Sequence, residues 1–172
     1  MVEAHAQVVD LYRLTTGLAA GELIQVPAAF AEQVPADCLL SVHGIVLTRI
    51  GRGAAVAEMT VGRAHLNQRG IVQAGAIVSL ADAAAGWASY SAIEHGLFTT
   101  IDLNTNLLRA AREGERLRAT ATPVRLGRKV QVLDVLVEAV TGDNGSATAK
   151  PVARFGCSQL VLEPQPRGLG KE

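Results

Sequence analysis

Residues 65–86 read HLNQRGIVQAGAIVSLADAAAG, and the conformation of the second half of this stretch decides the fold of the chain. Between Gly70 and Ile93 the single charged residue is Asp82; Ala, Gly and aliphatic residues make up most of the rest. The apolar positions run nearly all round a helical wheel, which predicts a helix over 74–94 surrounded by protein. Asp82 at its centre, with Gln73, Ser79, Ser89 and Ser91, argues against a membrane span. Gly96, after His95, is the expected stop. A lone carboxylate in such a segment is costly if buried, unless donors meet it.

Upstream, Val8, Val9, Leu11, Tyr12 and Leu14 predict a helix within 2–16, ended by Gly17 and Gly21. Residues 22–38, with Pro27 and Pro35, read as loop with one helical turn around Ala28–Gln33. The first 38 residues are expected to pack as an extension on the domain or on a partner subunit. Two β-rich runs, 39–50 and 54–61, flank Gly51-Arg52-Gly53 and predict a hairpin; a loop over 62–73 leads into the long helix.

Downstream the period changes to two. In FTTIDLNTNLLR (98–109), Ile101, Leu103 and Leu107 alternate with Asp102, Asn104 and Asn106, as in a half-buried strand. RLRATATPVRL (116–126) and KVQVLDVLVEAV (129–140) are two more strands joined at Gly127-Arg128. TGDNG (141–145) is a turn signal, and ATAKPVARFGCSQLVL (147–162) is a last strand in which Pro151 requires an irregularity or an edge.

This order predicts an α+β domain: an antiparallel sheet of five to six strands wrapped around one long central helix. The expected organisation is a helical extension over 1–38, one domain over 39–162 and a loose tail over 163–172. One face of the helix needs a further layer, so the expected assembly is a homodimer, paired into a homotetramer.

Composition narrows the function. Lys plus Arg and Asp plus Glu are 16 each, which argues against an electrostatic grip on nucleic acid or an anionic membrane. Aromatic residues are 3%, too few for base-stacking platforms. Cys38 and Cys157 form no C-x-x-C pair, and His5, His43, His65 and His95 have no metal-ligand spacing, so neither a metal nor a cofactor is called for. The first residues, MVEAHAQVVD, lack a signal-peptide pattern, and a cytoplasmic location is expected.

His65-x-Asn67-x-x-Gly70, a Gly-containing turn into a helix, and Leu80-Ala81-Asp82 resemble the hotdog-fold thioesterases of the PaaI-like group. TTIDLNTNLLRAAREGERLRATATPVRLGRKV (99–130) resembles the same family's strand, turn and strand order, and the likeness covers about 39–162. It implies a hotdog fold and hydrolysis of acyl-CoA thioesters without a cofactor. Asp82 falls where the family places its catalytic carboxylate. Asn67 matches an asparagine that orients substrate or water, and Thr100 a Ser or Thr that assists the carboxylate. Ala74 takes the position whose N–H polarises the thioester carbonyl, between Gln73 and Gly75. The family writes His-Gly-Gly there and this chain writes Gln73-Ala74-Gly75, a departure that keeps open a non-catalytic acyl-CoA-binding protein.

The chemistry can also be reasoned from the residues. Thioester hydrolysis needs a base or nucleophile and donors for the developing oxyanion. The first N–H groups of a helix supply the donors. Ala74 and Asp82 lie roughly 12 Å apart along one helix, at 1.5 Å per residue, so two subunits serve one carbonyl better than one does. Each residue has a plainer reading as well: Asp82 as a hydrogen-bonded core acid, Asn67 as a turn former, Thr100 as a strand residue, Gln73 as a helix flank. Trp87 and Tyr90 pack or line an acyl pocket. Arg109, Arg112, Arg125, Arg128 and Lys129 form either a solvated rim or a seat for coenzyme A phosphates, Arg125 and Arg128 being the best placed. A Ser–His–Asp triad and a hydratase rank below these readings, because no His is placed near Asp82 in sequence.

Overall fold

The structure, a computed structural model, describes residues 9–95, 97–142 and 148–162. In chain order these form α1 (Leu11–Thr15), β1 (Ile24–Gln25), α2 (Leu39–Val42), β2 (Val46–Gly51), β3 (Ala54–Thr60), α3 (Ala74–Ala92), β4 (Leu97–Leu107), β5 (Arg116–Leu126), β6 (Val130–Thr141) and β7 (Thr148–Leu162). The strands make one antiparallel sheet in the order β1-β2-β3-β5-β6-β7-β4, against which α3 packs.

The α+β architecture with one long central helix matches the sequence reading; the sheet has seven strands rather than five to six. The additional strand is β1, two residues of the extension that pair Ile24 with Ile50 and Gln25 with Arg49. The approach is tight: a Cβ on Gly51 would overlap the Glu22 carbonyl oxygen. The run expected as a strand over 39–50 begins instead as α2. Its turn closes with the His43 N–H on the Leu39 carbonyl and the Gly44 N–H on the Ser41 carbonyl, and Gly44 (φ 61°) then redirects the chain into β2. Helix α1 is shorter than 2–16, and the start of that range lies outside the described residues. So do Gly96, most of the 141–145 turn and the tail over 163–172; α3 itself ends at Ala92.

Small side chains bring α3 down onto the sheet. Ala76, Ile77, Leu80, Ala81, Ala84, Ala85 and Ala88 form its buried stripe, and Ala55, Ala57, Ala119 and Ala121 face the core from β3 and β5. Alanine against alanine permits close backbone approach, while Leu80, Leu117, Leu133 and Phe155 fill the remaining volume. The opposite stripe, Ser79, Asp82, Ala83, Gly86 and Tyr90, lines a cavity. Within one chain α3 is therefore covered on one side only, and Asp82 is half-buried rather than enclosed. Ser91 fixes the far end of α3: its hydroxyl accepts from the Gly53 N–H and donates to the Gly51 carbonyl, both at 2.8 Å.

Two irregularities in strand pairing have consequences. Pro151 lies opposite a register shift at Val137/Glu138 and beyond the β4 ladder, which ends at Ala153, so the residue without an N–H falls where β7 is paired on one side only. In β4 the register shifts between Thr100 and Asp102, making Ile101 the extra residue. The bulge breaks the simple alternation read from the sequence: Thr100 is in register with Gln159, and Leu103 with Cys157.

Candidate active site

A cavity of about 510 Å³ lies between the open stripe of α3 and β4, lined by Val78, Ala83, Trp87, Tyr90, Phe98 and Leu103 among others. The lining is apolar except for Ser79, Asp82 and Thr100. Helix α3 presents Asp82 because the carboxylate falls on the stripe turned away from the sheet. Strand β4 presents Thr100 because the bulge after it keeps the threonine on the helix side while Asp102 turns to the other face. The Thr100 hydroxyl reaches Asp82 Oδ1 at 3.0 Å. The serine beside them is engaged elsewhere: Ser79 Oγ donates to the Gly75 carbonyl at 2.9 Å.

Behind Thr100 lies a residue that the sequence reading missed. Gln159 of β7 is fully buried; its Oε1 lies 3.1 Å from Thr100 Oγ1 and its Nε2 3.2 Å from Cys157 Sγ. Burial and, secondarily, the charge of Asp82 push the Cys157 thiol up to about 11, so it remains S–H at neutral pH. The sequence signal was a glutamine in phase with Phe155 and Cys157 on the apolar face of the last strand.

The other residues singled out in the sequence assemble elsewhere. Asn67 shapes a turn: its side-chain oxygen accepts from the Arg69 N–H (2.9 Å) and the Ile71 N–H (3.4 Å). The turn brings Gln73 to the helix start, where its N–H donates to the His65 carbonyl at 2.8 Å. Gln73 is the N-cap in extended conformation (φ −64°, ψ 136°), without a side-chain cap bond, and α3 begins at Ala74. An alanine at the first helical position needs no positive φ, so replacing glycine there leaves the N–H in place without strain. Ala74 and Gly75 thus open the helix with N–H groups that lack intrahelical acceptors, and Gly75 is exposed. None of Asn67, Gln73, Ala74 or Gly75 lines the Asp82 cavity. Each chain carries two separate clusters: a carboxylate with its threonine, and a helix start with its asparagine turn.

The cationic residues divide too. Arg109 pairs with Glu115 at 3.0 Å. Burial tends to raise the Glu115 carboxyl, but the Arg112 N–H and the Arg109 guanidinium outweigh it and hold the pKa below the usual value. Arg125 is exposed near the end of β5, next to a register shift at Pro123/Arg125. Arg128 and Lys129 form the β5–β6 turn and share a depression with Leu160 and Val161. Pairing of Gln131 with Gln159, and of Gln159 with Thr100, puts that turn at the Thr100 end of the sheet. Two strand spacings and three residue rises separate Arg128 from Thr100, roughly 14 Å.

Comparison with known proteins follows this geometry. A family model described as the thioesterase superfamily matches residues 69–146. A provisionally named esterase of Archaeoglobus fulgidus is 44% identical over 94 residues, 54% of this chain and 59% of that protein, so the match spans less than two thirds of that relative. Another provisionally named esterase, from Deinococcus radiodurans, is 33% identical over 126 residues, covering 73% of this chain and 83% of the relative. Among solved structures, the Escherichia coli PaaI protein from the phenylacetic acid degradation operon superposes with a TM-score of 0.66 at 25% identity, over 77% of this chain and 88% of that one.

Proposed function

The chain belongs to the thioesterase superfamily, as a PaaI-like hotdog protein, and from that premise we propose that it hydrolyses acyl-CoA thioesters at a site shared by two subunits, with Asp82 as general base or nucleophile. The observation that carries the reading is the Thr100–Asp82 hydrogen bond at the one polar end of an apolar cavity. An acyl group fits the apolar lining, and its carbonyl carbon would then lie beside the carboxylate.

As a general base, Asp82 takes a proton from water. The resulting hydroxide adds to the carbonyl carbon, the oxyanion collapses, the C–S bond breaks and coenzyme A leaves as the thiolate, to be protonated. As a nucleophile, Asp82 itself displaces the thiolate, and water then hydrolyses the acyl anhydride. Both routes build negative charge on the carbonyl oxygen and call for donors there. The Ala74 and Gly75 N–H groups of a second copy supply them in this proposal, with Asn67 of that copy orienting substrate or water and Gln73 and Gly75 flanking the thioester. Arg125 and Arg128 receive the phosphates of coenzyme A.

The second copy is argued from β4. It is the outer strand of the sheet, its far edge is unpaired among the described residues, and Leu97, Ile101 and Leu107 are more than half exposed. Pairing of that edge with its equivalent would join the two sheets and cover the open face of α3. Dimers paired into a tetramer, in the cytoplasm, complete the proposal; no helix among the described residues is long and apolar enough to cross a membrane.

The test is a panel of acyl-CoA thioesters with detection of the released thiol. Asp82→Asn is expected to lower kcat by about 10²–10⁴-fold if the carboxylate is the general base. Wild-type activity in Asp82→Asn would end the catalytic claim. Tight acyl-CoA binding without turnover in the wild type would favour the non-catalytic binding protein.

A further inference from the structure

Gln159 is hard to account for as a packing residue. It is fully buried, on the same face as Phe155 and Cys157, and a buried amide is costly unless both of its ends are bonded. Its surroundings make a proton-counting problem. Thr100 Oγ1 lies 3.0 Å from Asp82 Oδ1 and 3.1 Å from the Gln159 amide, yet a hydroxyl has a single proton. The proposed reaction uses Asp82 as a carboxylate, which only accepts, so the threonine proton belongs to it. The lone pairs of Oγ1 then face Gln159 and require a donor. As placed, the amide turns Oε1 to Thr100 and Nε2 to Cys157; a half-turn of the amide exchanges its two ends, and the proton count calls for that half-turn, with Nε2 toward Thr100 and Oε1 toward Cys157. The Cys157 thiol, 3.2 Å away and still protonated, supplies the last donor.

We infer that Gln159 is a positioning residue for the proposed hydrolysis: its amide N–H holds the Thr100 hydroxyl so that its proton points at Asp82 Oδ1, leaving Oδ2 to face water or the acyl carbon. The chain runs Cys157 S–H to Gln159 Oε1, Gln159 N–H to Thr100 Oγ1, and Thr100 O–H to Asp82. Every link then has one donor and one acceptor, and hydrogen bonds aligned in this way reinforce one another. Strand pairing builds the arrangement: Thr100 is in register with Gln159 because the β4 bulge falls immediately after the threonine. The inference rests on Asp82 being the working carboxylate.

The test uses the full chain and a double-mutant cycle on whichever of phenylacetyl-CoA and hexanoyl-CoA it cleaves faster. Gln159→Met keeps the side chain's length and removes both hydrogen bonds. It is expected to lower kcat about fivefold to tenfold, the worth of one neutral hydrogen bond, with KM changed less than about twofold. In a Thr100→Val background it is expected to add no further loss, because Gln159 acts through the hydroxyl. Gln159→Glu is expected to fall further, about 10²-fold, since a second carboxylate competes for the threonine proton and sets like charge near Asp82. A Gln159→Met loss that multiplies with that of Thr100→Val, a change in KM alone, or a wild-type kcat overturns the inference. Should Gln159→Met fail to fold, a wild-type kcat in Gln159→Glu overturns it equally. Asp82→Asn separates the two claims. If it is inactive while Gln159→Met is fully active, the relay alone fails; if it retains wild-type activity, the reading of the site fails first.

Discussion

Thr100 holds one oxygen of Asp82 at 3.0 Å in the wall of the cavity, and the proposed reaction then falls to the other oxygen. Thr100→Val removes the fixing bond and leaves the charge; it is expected to cost kcat about tenfold, much less than Asp82→Asn, in the same thiol-release assay. His65 braces the turn before α3, its carbonyl accepting the Gln73 N–H at 2.8 Å. It is buried, stacks on His43 with ring centroids 5.2 Å apart, and accepts the Gly62 N–H on Nδ1 at 2.9 Å. Burial first, and the neighbouring His43 second, hold its pKa below the usual histidine value. The fold therefore opposes protonation that the unfolded chain accepts. The stabilisation is complete above the unfolded pKa of about 6.5 and is lost as pH falls through the lower folded value. Denaturant midpoints are expected to drop between about pH 7.5 and pH 5 in the wild type and less in His65→Asn, whose side-chain oxygen can accept the same N–H; parallel profiles would remove His65 as the cause. At this scale the sequence singled out Asp82 through its isolation, and proposed Asn67, Ala74 and Thr100 through family likeness, of which Thr100 meets Asp82 in the structure. It hid Gln159, because a lone glutamine near the end of a strand looks solvent-facing until the register of two neighbouring strands is known.

Among the elements, α3 was the most legible and β4 the most altered. A long run of small residues, with Ile77, Val78 and Leu80 in its first half, specifies a close-packed helix, and Leu80 is its best-buried large side chain. Leu80→Ala is expected to lower unfolding stability by about 3 kcal/mol in chemical denaturation; a loss below 1 kcal/mol would mean that α3 repacks around the space. Residues 39–42 were read as strand rather than helix because Leu39, Leu40 and Val42 suit either, and the positive φ of Gly44, which ends α2, carries no apolar signal. Strand β1 was invisible, since two residues carry no period. The β4 bulge was hidden for a different reason: Ile101 fits either phase of the alternation, and the pairing partner sets which phase holds. The exposed bulge offers a test of the edge. Ile101→Lys places a charge on the strand proposed to pair with a second copy. Analytical ultracentrifugation is expected to show monomer, with activity lost in parallel. An intact dimer with full activity would move the interface elsewhere.

For the whole molecule, the proposed site is divided between subunits, because one chain holds Asp82 with its Thr100 bond midway along α3 and Ala74 with its bare N–H at the start. The composition and the order of elements made the fold legible from sequence. The proposed division of the site rests in the sequence on a length alone, eight residues of helix or roughly 12 Å, which no side-chain motion can close. Subunit complementation tests this most directly. Asp82→Asn removes the carboxylate. Ala74→Pro removes the N–H where proline suits both the first helical position and the extended Gln73 before it. Dimers of one Asp82→Asn subunit and one Ala74→Pro subunit, isolated through two different tags, contain one complete site if the halves belong to different chains. They are expected to recover about half of wild-type acyl-CoA hydrolysis, while each parent dimer stays near background. Mixed dimers no more active than their parents would contradict a site shared between subunits.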